Sequence, residues 1–327
     1  MAFNKENYKR IREEYNNKYL TARNAAEARR AELHERFPEL ADIDRAIART
    51  GPAVFAATMK GKEGLEERLA AIRAENEALR DARANFLVAN GYPADYTDVK
   101  YECEKCSDSG FVDGKMCDCM REKLILAGLE SSGFGTLIKT QSFDTFSLKY
   151  YQSDRDTYEK MKYVYDQLKE YAESVEAGKA DSVIMFGATG LGKTHLSSAV
   201  AKRIIERGYD VQYVSAIKMI GDFEHERFKS GAVSAEAGEE VERYYDCDLL
   251  IIDDLGCEVV NQFTVSCIYD IINMRINKNK ATIVSTNLTP ADLRAKYWDR
   301  ITSRLLGEYR VLLFVGKDVR AQKLSEK

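Results

Sequence analysis

The chain has 327 residues, a length that suggests two domains. Hydrophobic residues make up 45% of it and charged residues 31%, as in an ordinary globular protein. No apolar stretch reaches the roughly 18 residues of a membrane span, and the N-terminal sequence lacks the apolar segment of a secretory signal, so we expect a cytoplasmic protein outside the membrane. The net charge of −4 lacks the basic excess that holds proteins on duplex DNA, so any nucleic-acid contact must be local.

Residues 1–92 predict a helical, coiled-coil-like arm. Apolar residues recur at intervals of three and four along one face of its second half, with polar Asn76 and Arg83 at intervening positions. The apolar positions of that face are Leu65, Leu69, Ile72, Leu79 and Phe86. An earlier helix carries its own apolar face between Tyr8 and Phe37.

The connection between these two helices contains Gly51, Pro52, Gly61 and Gly64, which predicts an antiparallel helical hairpin. A thin hairpin leaves much of its surface unburied. We therefore favour an arm that docks onto a partner. A helical domain that packs only on itself remains the alternative.

Residues 93–140 hold four of the seven cysteines and predict a small zinc knuckle with a linker. A Cys-x-x-Cys turn places two thiolates on one metal, and Gly110 and Gly114 allow a hairpin that brings a Cys-x-Cys pair round to complete tetrahedral coordination. Four protein ligands leave no open position for water, so we expect a structural zinc. A redox dithiol, an iron–sulfur cluster and uncoordinated thiols remain alternatives. The four predicted ligands are Cys103, Cys106, Cys117 and Cys119.

The other three cysteines are scattered in apolar surroundings and are expected in or near the core. They are Cys247, Cys257 and Cys267.

Residues 141–327 alternate short apolar strands with helices, which predicts an α/β domain with a parallel sheet covered on both faces. The predicted strands are Val183–Phe186, Val211–Val214, Leu249–Ile252, Thr282–Ser285 and Val311–Val315.

A phosphate-binding loop follows the first of these strands and opens a helix. The segment 187–194 fits G-x-x-x-x-G-K-[ST], whose glycines let backbone N–H groups surround phosphates. Lys193 is expected to reach the β- and γ-phosphates of ATP, and the Thr194 hydroxyl to bind Mg²⁺. The predicted nucleotide-binding residues are Gly187, Ala188, Thr189, Gly190, Leu191, Gly192, Lys193 and Thr194.

Polar side chains follow the third and fourth predicted strands. Asp253 is expected to hold Mg²⁺, directly or through water, and Asp254 to act as the base or orienter for an attacking water. Because parallel strands end at one edge of a sheet, Asn287 is expected to sense the γ-phosphate or the water. The alternatives are two solvated turn aspartates and an asparagine that caps the turn before Pro290.

Arg300 and Arg304 lie four residues apart and share a helix face. We interpret Arg304 as an arginine finger that acts on the ATP of a neighbouring subunit, which predicts self-association through this domain. The alternative is an ordinary solvated or salt-bridged arginine.

The phosphate loop, IIDDLG, STN and DRITSRL occur here in the order found in the AAA+ ATPases of DnaC/DnaI-type bacterial replicative helicase loaders. The chain resembles this family over residues 140–327 and, more loosely, over the cysteine knuckle. The related IstB-type transposition helper ATPases share the same domain. The helical arm is matched only by analogy of position.

The resemblance implies a protein that binds the hexameric replicative DNA helicase and places it on single-stranded DNA during replication initiation. ATP binding and hydrolysis would govern release, with ATP, Mg²⁺ and Zn²⁺ as cofactors. It also implies that Asn287 is sensor 1 and that Arg320 lies near the nucleotide. No lid domain is expected after the sheet, as in these loaders, so nucleotide would be held weakly unless subunits stack.

Other functions stay open at this point. An IstB-type transposition helper ATPase acting on duplex DNA shares every ATPase motif, but the knuckle and the arm favour the loader. A P-loop kinase would need an acceptor pocket, and a non-enzymatic adaptor would use ATP only to set its shape.

Candidate contacts to single-stranded DNA combine aromatic rings, which stack on bases, with a few cations. Ordinary packing or a solvated position is the alternative for each of them. They are Phe223, Phe228, Lys229, Arg275, Lys278 and Lys280.

Overall fold

A computed structural model describes residues 3–61, 64–175, 181–228 and 235–325. It divides into two compact units, one formed by Arg12–Cys119 and the other by Met1–Ile11 together with Met120–Lys327. The predicted domain boundaries at residues 92 and 140 stay a prediction. Within the described ranges, no helix has the length and apolar character needed to cross a membrane.

The described residues between 5 and 89 form three long helices where we predicted two. They are α1 (Lys5–Arg36), α2 (Pro38–Met59) and α3 (Leu65–Ala89). All but the first two turns of α1 belong to the unit Arg12–Cys119. The chain breaks at Pro38 because proline has no N–H to donate and favours the first position of a helix. The prediction that Gly51 and Pro52 belong to the connection was wrong, since both lie inside α2. The helix continues through Pro52 with buried residues on either side of it, Thr50 and Ala57.

The hairpin is therefore formed by α2 and α3, and its seam is partly polar. The α3 face predicted from the heptad spacing is the partly buried face of that helix. Its two polar positions pair with α2: Asn76 donates to the Thr50 hydroxyl at 2.6 Å, and Arg83 donates to Asp44 at 2.6 Å. Near the end of α1, the start of α2 and the end of α3, a buried apolar cluster joins the three helices through Leu33, Leu40 and Leu87.

The cysteine segment folds as the sequence predicted. Strands β1 (Phe111–Val112) and β2 (Lys115–Met116) pair antiparallel between the two cysteine pairs. Helix α4 (Asp118–Ser131) starts within the second pair.

The unit that contains residues 120–325 is an α/β domain. After α4 it comprises α5 (Leu137–Thr140), a 3₁₀ helix (Leu148–Tyr151), α6 (Arg155–Ser174), β3 (Ser182–Phe186), α7 (Lys193–Glu206), β4 (Val211–Ser215), α8 (Ala216–Phe228), α9 (Ala235–Asp246), β5 (Leu249–Leu255), α10 (Gln262–Asn277), β6 (Ala281–Thr286), α11 (Pro290–Gly307), β7 (Tyr309–Leu313) and α12 (Val319–Ser325).

Five parallel strands form the sheet, in the order β4-β5-β6-β3-β7. Successive side chains of a strand point to opposite faces. In β3, Val183 and Met185 join the apolar cluster that includes α6 and α7, whereas Ile184 and Phe186 join the cluster that includes α8, α10 and α11. The expected α/β domain, with a parallel sheet covered on both faces, is confirmed.

Arg275 is part of the core and not a DNA contact. Its side chain is 0% exposed, and its guanidinium donates to the carbonyl oxygens of Tyr244 (2.7 Å), Ala281 (2.6 Å) and Cys247 (3.1 Å). A buried cation needs such partners, which makes it unavailable to phosphates.

The other predicted DNA contacts also have internal partners where the structure describes them. Phe223 packs beside Tyr244 and Tyr245. Lys278 pairs with Asp246, and Lys280 with Asp248. The side chain of Phe228 and all of Lys229 lie outside the described residues.

Replacing Arg275 with methionine should destabilise this domain strongly. Methionine is also unbranched, but it leaves three buried carbonyl groups without a hydrogen-bond donor. Each unsatisfied carbonyl group costs about 1–3 kcal/mol. We expect a loss of about 3–5 kcal/mol in the free energy of unfolding. Urea unfolding followed by the fluorescence of the chain's single tryptophan, which lies in this unit, measures it.

Arg155→Met on α6 is the matched control, because the Arg155 side chain is 91% exposed. It should change stability by less than about 0.5 kcal/mol. Equal unfolding midpoints for the two variants would contradict the structural role of Arg275.

Candidate functional site

The predicted nucleotide-binding residues form a tight loop between β3 and α7. Gly187 follows β3, and Lys193 is the first residue of α7. Gly190 has φ +83°, and a Cβ there would lie 2.1 Å from a carboxylate oxygen of Asp318. Gly192 has φ +84°, and its Cβ would lie 2.8 Å from the Phe146 ring. Only glycine fits at these two positions, where the chain turns into the N-terminus of α7.

Lys193 is buried and is held by the loop itself. Its ammonium group donates to the carbonyl oxygens of Gly187 (2.6 Å) and Ala188 (3.0 Å). Burial lowers its pKa, while the charges of Asp254 and Asp253 oppose that change. The cation therefore lies in the loop, close to both predicted catalytic carboxylates.

Asp253 is the polar centre of the site. Its buried carboxylate accepts hydrogen bonds from the hydroxyl groups of Thr194 (2.9 Å), Tyr213 (2.8 Å) and Ser285. These donors come from α7, β4 and β6, whereas Asp253 itself lies near the end of β5. The structure thus joins the phosphate loop to three neighbouring strands through one carboxylate.

Tyr213 and Ser285 were not predicted as site residues. Ser285 lies next to the carboxyl end of β6, where the edge rule that we applied to Asn287 also applies. Tyr213 is the middle residue of β4 and reaches Asp253 through its long side chain. Burial, followed by the charge of Asp253, raises the pKa of Tyr213, so its hydroxyl stays a donor.

Asp254 is exposed, unlike the buried Asp253 beside it. Its φ of +54° lies in the left-handed region, and the pairing of β5 with β6 is irregular between Ile252 and Leu255. The Asp254 backbone N–H donates to the Ser285 hydroxyl at 3.0 Å. Partial desolvation and then the Asp253 charge raise the pKa of its exposed carboxyl, while Lys193 and Arg320 oppose that rise. The bulge turns this second carboxylate toward solvent.

Asn287 and Arg320 reach this edge from two other elements. Asn287 directly follows β6 and is exposed. It does not cap the next helix: Thr289 does, in a capping box with Asp292. Arg320 lies on α12, whose Val319 N–H donates to the Gly190 carbonyl at 3.0 Å.

Arg304 does not join this cluster. Its guanidinium donates to Asn273 (3.1 Å) and to the Tyr269 hydroxyl (3.0 Å) on α10, and it lies 4.7 Å from the centre of the Tyr269 ring. Arg300 lies over the same ring at 4.8 Å. A role for Arg304 in hydrolysis therefore requires the nucleotide of another subunit.

The residues at the phosphate loop fit a hydrated Mg²⁺ ion. The Thr194 hydroxyl and an Asp253 carboxylate oxygen lie 2.9 Å apart, and oxygen ligands of these two types are what Mg²⁺ takes in phosphate sites. Asp254 adds a second carboxylate at the same strand end.

The four cysteines of the knuckle converge on one point. All four sulfur atoms lie within 4.8 Å of one another, with Cys103–Cys117 at 3.9 Å and Cys106–Cys119 at 3.7 Å. Tetrahedral coordination with Zn–S distances near 2.3 Å places sulfur atoms about 3.8 Å apart. The donor set therefore fits zinc.

Other groups in the same unit shape this sulfur cluster. The buried Asp108 accepts from the backbone N–H groups of Glu102 (2.9 Å) and Cys103 (2.8 Å), which fixes the first turn. A hydrogen bond from the Cys106 backbone lowers the pKa of Cys103 to about 7. Tyr15 of α1 hydrogen-bonds to Cys119, so the knuckle and the helical arm share this contact.

Comparison with known proteins agrees with this site. A family model described as IstB-like ATP binding protein matches residues 160–323, half of the chain. The chain belongs to the IstB-like ATP-binding family. As a member of it, the chain carries an ATP-binding domain of the P-loop type at residues 160–323.

The chain is also similar to individual proteins. The chromosomal replication initiator DnaA of Campylobacter jejuni is 31% identical over 144 residues, which cover 44% of this chain and 31% of DnaA. The PBSX phage-like element protein XkdC of Bacillus subtilis is 25% identical over 230 residues, 65% of this chain and 81% of XkdC. A crystal structure of the DnaC helicase loader superposes with a TM-score of 0.45 and 21% identity, covering 54% of this chain and 98% of that one. This chain spans less than a third of the length of the DnaA relatives.

The freshly purified full-length protein should contain about one zinc ion per chain, because the four thiol groups complete one tetrahedral site. Cys106→Ser should lower that content at least tenfold, since structural sites of this kind depend on every thiolate. Metal analysis of the purified variants measures both values.

Cys257→Ser is the matched control and should keep its zinc. Cys257 is exposed and lies outside the sulfur cluster. The prediction that it lies in or near the core was therefore wrong, whereas Cys247 and Cys267 are buried as expected. A wild-type metal content far below one per chain would reject zinc.

Proposed function

We propose that this protein is an ATP-dependent loader that binds the hexameric replicative DNA helicase and places it on single-stranded DNA during replication initiation. The carrying observation is that a compact unit of helical hairpin and cysteine cluster, Arg12–Cys119, precedes the ATPase domain. A unit of this kind supplies a partner-binding surface of its own, while the ATPase domain supplies a switch. The cofactors we propose are ATP, Mg²⁺ and a structural Zn²⁺.

The tip of the hairpin is the proposed helicase-docking surface. Phe55 and Met59 lie one helical turn apart near the end of α2, and these residues are 69% and 73% exposed. Large apolar side chains that share one face of a helix are typical of partner-binding surfaces. We define Val54, Phe55 and Met59 as the tip patch.

In the proposed reaction, residues 187–192 and the N-terminus of α7 hold the phosphates of ATP through backbone N–H groups. Lys193 leaves its carbonyl partners to bind the β- and γ-phosphates, and Arg320 contributes positive charge nearby. Thr194 and Asp253 hold Mg²⁺, which neutralises charge on the phosphates. Asp254 orients the attacking water and accepts its proton, and Asn287 hydrogen-bonds to the γ-phosphate or to that water.

Subunit assembly completes the site in this proposal. Arg304 supplies its charge to ATP held by a neighbouring copy, so hydrolysis is slow until subunits stack. The surface around it is suited to a partner, because Tyr269, Trp298 and Arg300 line a cavity of about 610 Å³ there. The rate of ATP hydrolysis therefore depends on subunit assembly. In this proposal, completed hydrolysis releases the helicase.

Mixing the full-length protein with the host's hexameric helicase should give one high-mass peak in size-exclusion chromatography with light scattering. The double variant Phe55→Glu with Met59→Glu should abolish that peak, because two charges replace the apolar tip patch. Val88→Glu should leave it unchanged. Val88 is 61% exposed but lies 23 residues from the start of α3, roughly 35 Å along the helix.

Separate elution of the wild-type protein and the helicase, with ATP and without it, would reject the loader. The IstB-type transposition helper would then be the better proposal. Duplex-DNA affinity that survives physiological salt would support that alternative.

Arg304→Ala should leave ATP affinity unchanged and reduce turnover in assembled protein by roughly 10³-fold, as for other arginine fingers. Steady-state hydrolysis by the assembled protein and nucleotide titration measure the two effects. Arg294→Ala is the control, because Arg294 pairs with Asp299 on the same helix and should be silent. Unchanged turnover of Arg304→Ala in the assembled state would contradict the assignment.

A further inference from the structure

We propose that Glu258 and Tyr297 form a positioning pair that transmits the state of the nucleotide site to the surface that carries Arg300 and Arg304. The inference rests on the proposed roles of Asp253 and Asp254 in nucleotide binding. It does not depend on which partner the protein loads.

The pair joins two elements through a buried carboxylate. Glu258 is 6% exposed and Tyr297 is fully buried. One Glu258 oxygen accepts from the Gly256 backbone N–H at 3.0 Å, and the other accepts from the Tyr297 hydroxyl. The neighbouring Lys296 donates to the Gly256 carbonyl. The segment after β5 is thus tied to α11 by adjacent hydrogen bonds.

On its nucleotide side, this segment begins at the catalytic carboxylates. Glu258 lies four residues after Asp254, whose backbone has positive φ. The intervening chain has little room to absorb a shift: the Thr286 hydroxyl donates to the Leu255 carbonyl at 2.6 Å, and a Cβ on Gly256 would lie 2.7 Å from Leu288. A displacement at Asp254 therefore reaches Glu258.

On its other side, the pair adjoins a break in α11. Trp298, next to Tyr297, has φ +61° and ψ +171°, a combination that is almost restricted to glycine. Trp298 is 57% exposed and lines the same cavity as Arg300. Such strain persists only where surrounding contacts impose it, and the buried Tyr297 hydroxyl is the adjacent fixed point. Arg300 and Arg304 follow within the next two turns.

Nucleotide can bias this linkage because it competes for a contact seen here. The Thr194 hydroxyl is a donor to Asp253 in this structure, and the same hydroxyl is a proposed Mg²⁺ ligand. A ligand shifts an equilibrium only where its contacts differ between two states. The two states differ in the hydrogen bonds of Asp253, which change when Thr194 binds Mg²⁺ with the nucleotide. Through Glu258 and Tyr297, this change alters the backbone kink at Trp298.

Trp298 is the only tryptophan of the chain, so its fluorescence reports the kink directly. We would titrate the full-length protein with Mg²⁺ and a non-hydrolysable ATP analogue, and measure emission and acrylamide quenching. Binding is measured separately by calorimetry. The wild-type signal should change with the same affinity that calorimetry gives, at concentrations where light scattering shows a monomer.

Tyr297→Phe keeps the buried ring and removes only the hydroxyl. It should bind the analogue as the wild type does but lose the fluorescence response. In assembled protein its kcat should fall on the order of 10-fold with KM unchanged. Glu258→Gln keeps the shape of the side chain and should lose the response too.

Tyr171→Phe is the matched control for removal of a buried hydroxyl. Tyr171 is buried in the same unit, and its hydroxyl has no hydrogen-bond partner among the described residues. Tyr171→Phe should show the same fluorescence response as the wild type. All three variants should be measured at a temperature at which thermal unfolding shows each of them to be fully folded.

Three results would overturn the inference while leaving the loader proposal intact. The first is a wild-type protein that binds the analogue without a change at Trp298. The second is a Tyr297→Phe response equal to that of the wild type. The third is a response that disappears on dilution to monomer, because such a response reports assembly. Failure of the wild type to bind nucleotide would overturn the nucleotide site itself.

Discussion

The hydrogen bonds at Asp253 organise the ATPase domain. A buried carboxylate at the end of a β-strand is costly unless its oxygens are satisfied. Here Thr194, Tyr213 and Ser285 satisfy them from the helix after the phosphate loop and from the two strands beside β5. The phosphate loop, the Asp254 bulge and the neighbouring strand ends are therefore held in one arrangement, with the Asp253 carboxylate at the centre.

This arrangement requires a sheet that does not shift. Apolar side chains fill both faces of the five strands, and their alternation sets which residues face which layer of helices. Arg275 joins α9, α10 and β6 at the opposite end of the strands from the site, through hydrogen bonds to backbone carbonyls. Packing and one buried cation thus maintain the register that brings the site residues together.

The two units differ in how they are stabilised. The ATPase domain buries a two-sided apolar core, whereas the helical hairpin has a narrow seam in which Asn76 and Arg83 meet polar partners on α2. Polar pairs at such positions favour one register over others. The cysteine cluster contacts α1 through a hydrogen bond between Tyr15 and Cys119. A unit with so little core leaves apolar side chains such as Phe55 and Met59 on its surface.

Local pattern alone determined the parallel sheet, the phosphate loop, the cysteine hairpin and the partly buried face of α3. Each of these depends on residue spacing within a single strand, turn or helix, and that spacing is visible in the sequence. The tertiary structure decided the rest. Gly51 and Pro52 read as a turn but lie inside α2, because packing on both sides outweighs one lost backbone hydrogen bond. Arg275 reads as a surface cation but is buried, because its carbonyl partners come from distant segments. The roles of Tyr213, Ser285, Glu258 and Tyr297 also required the fold, since hydroxyl and carboxylate groups acquire their partners only when separate strands and helices meet.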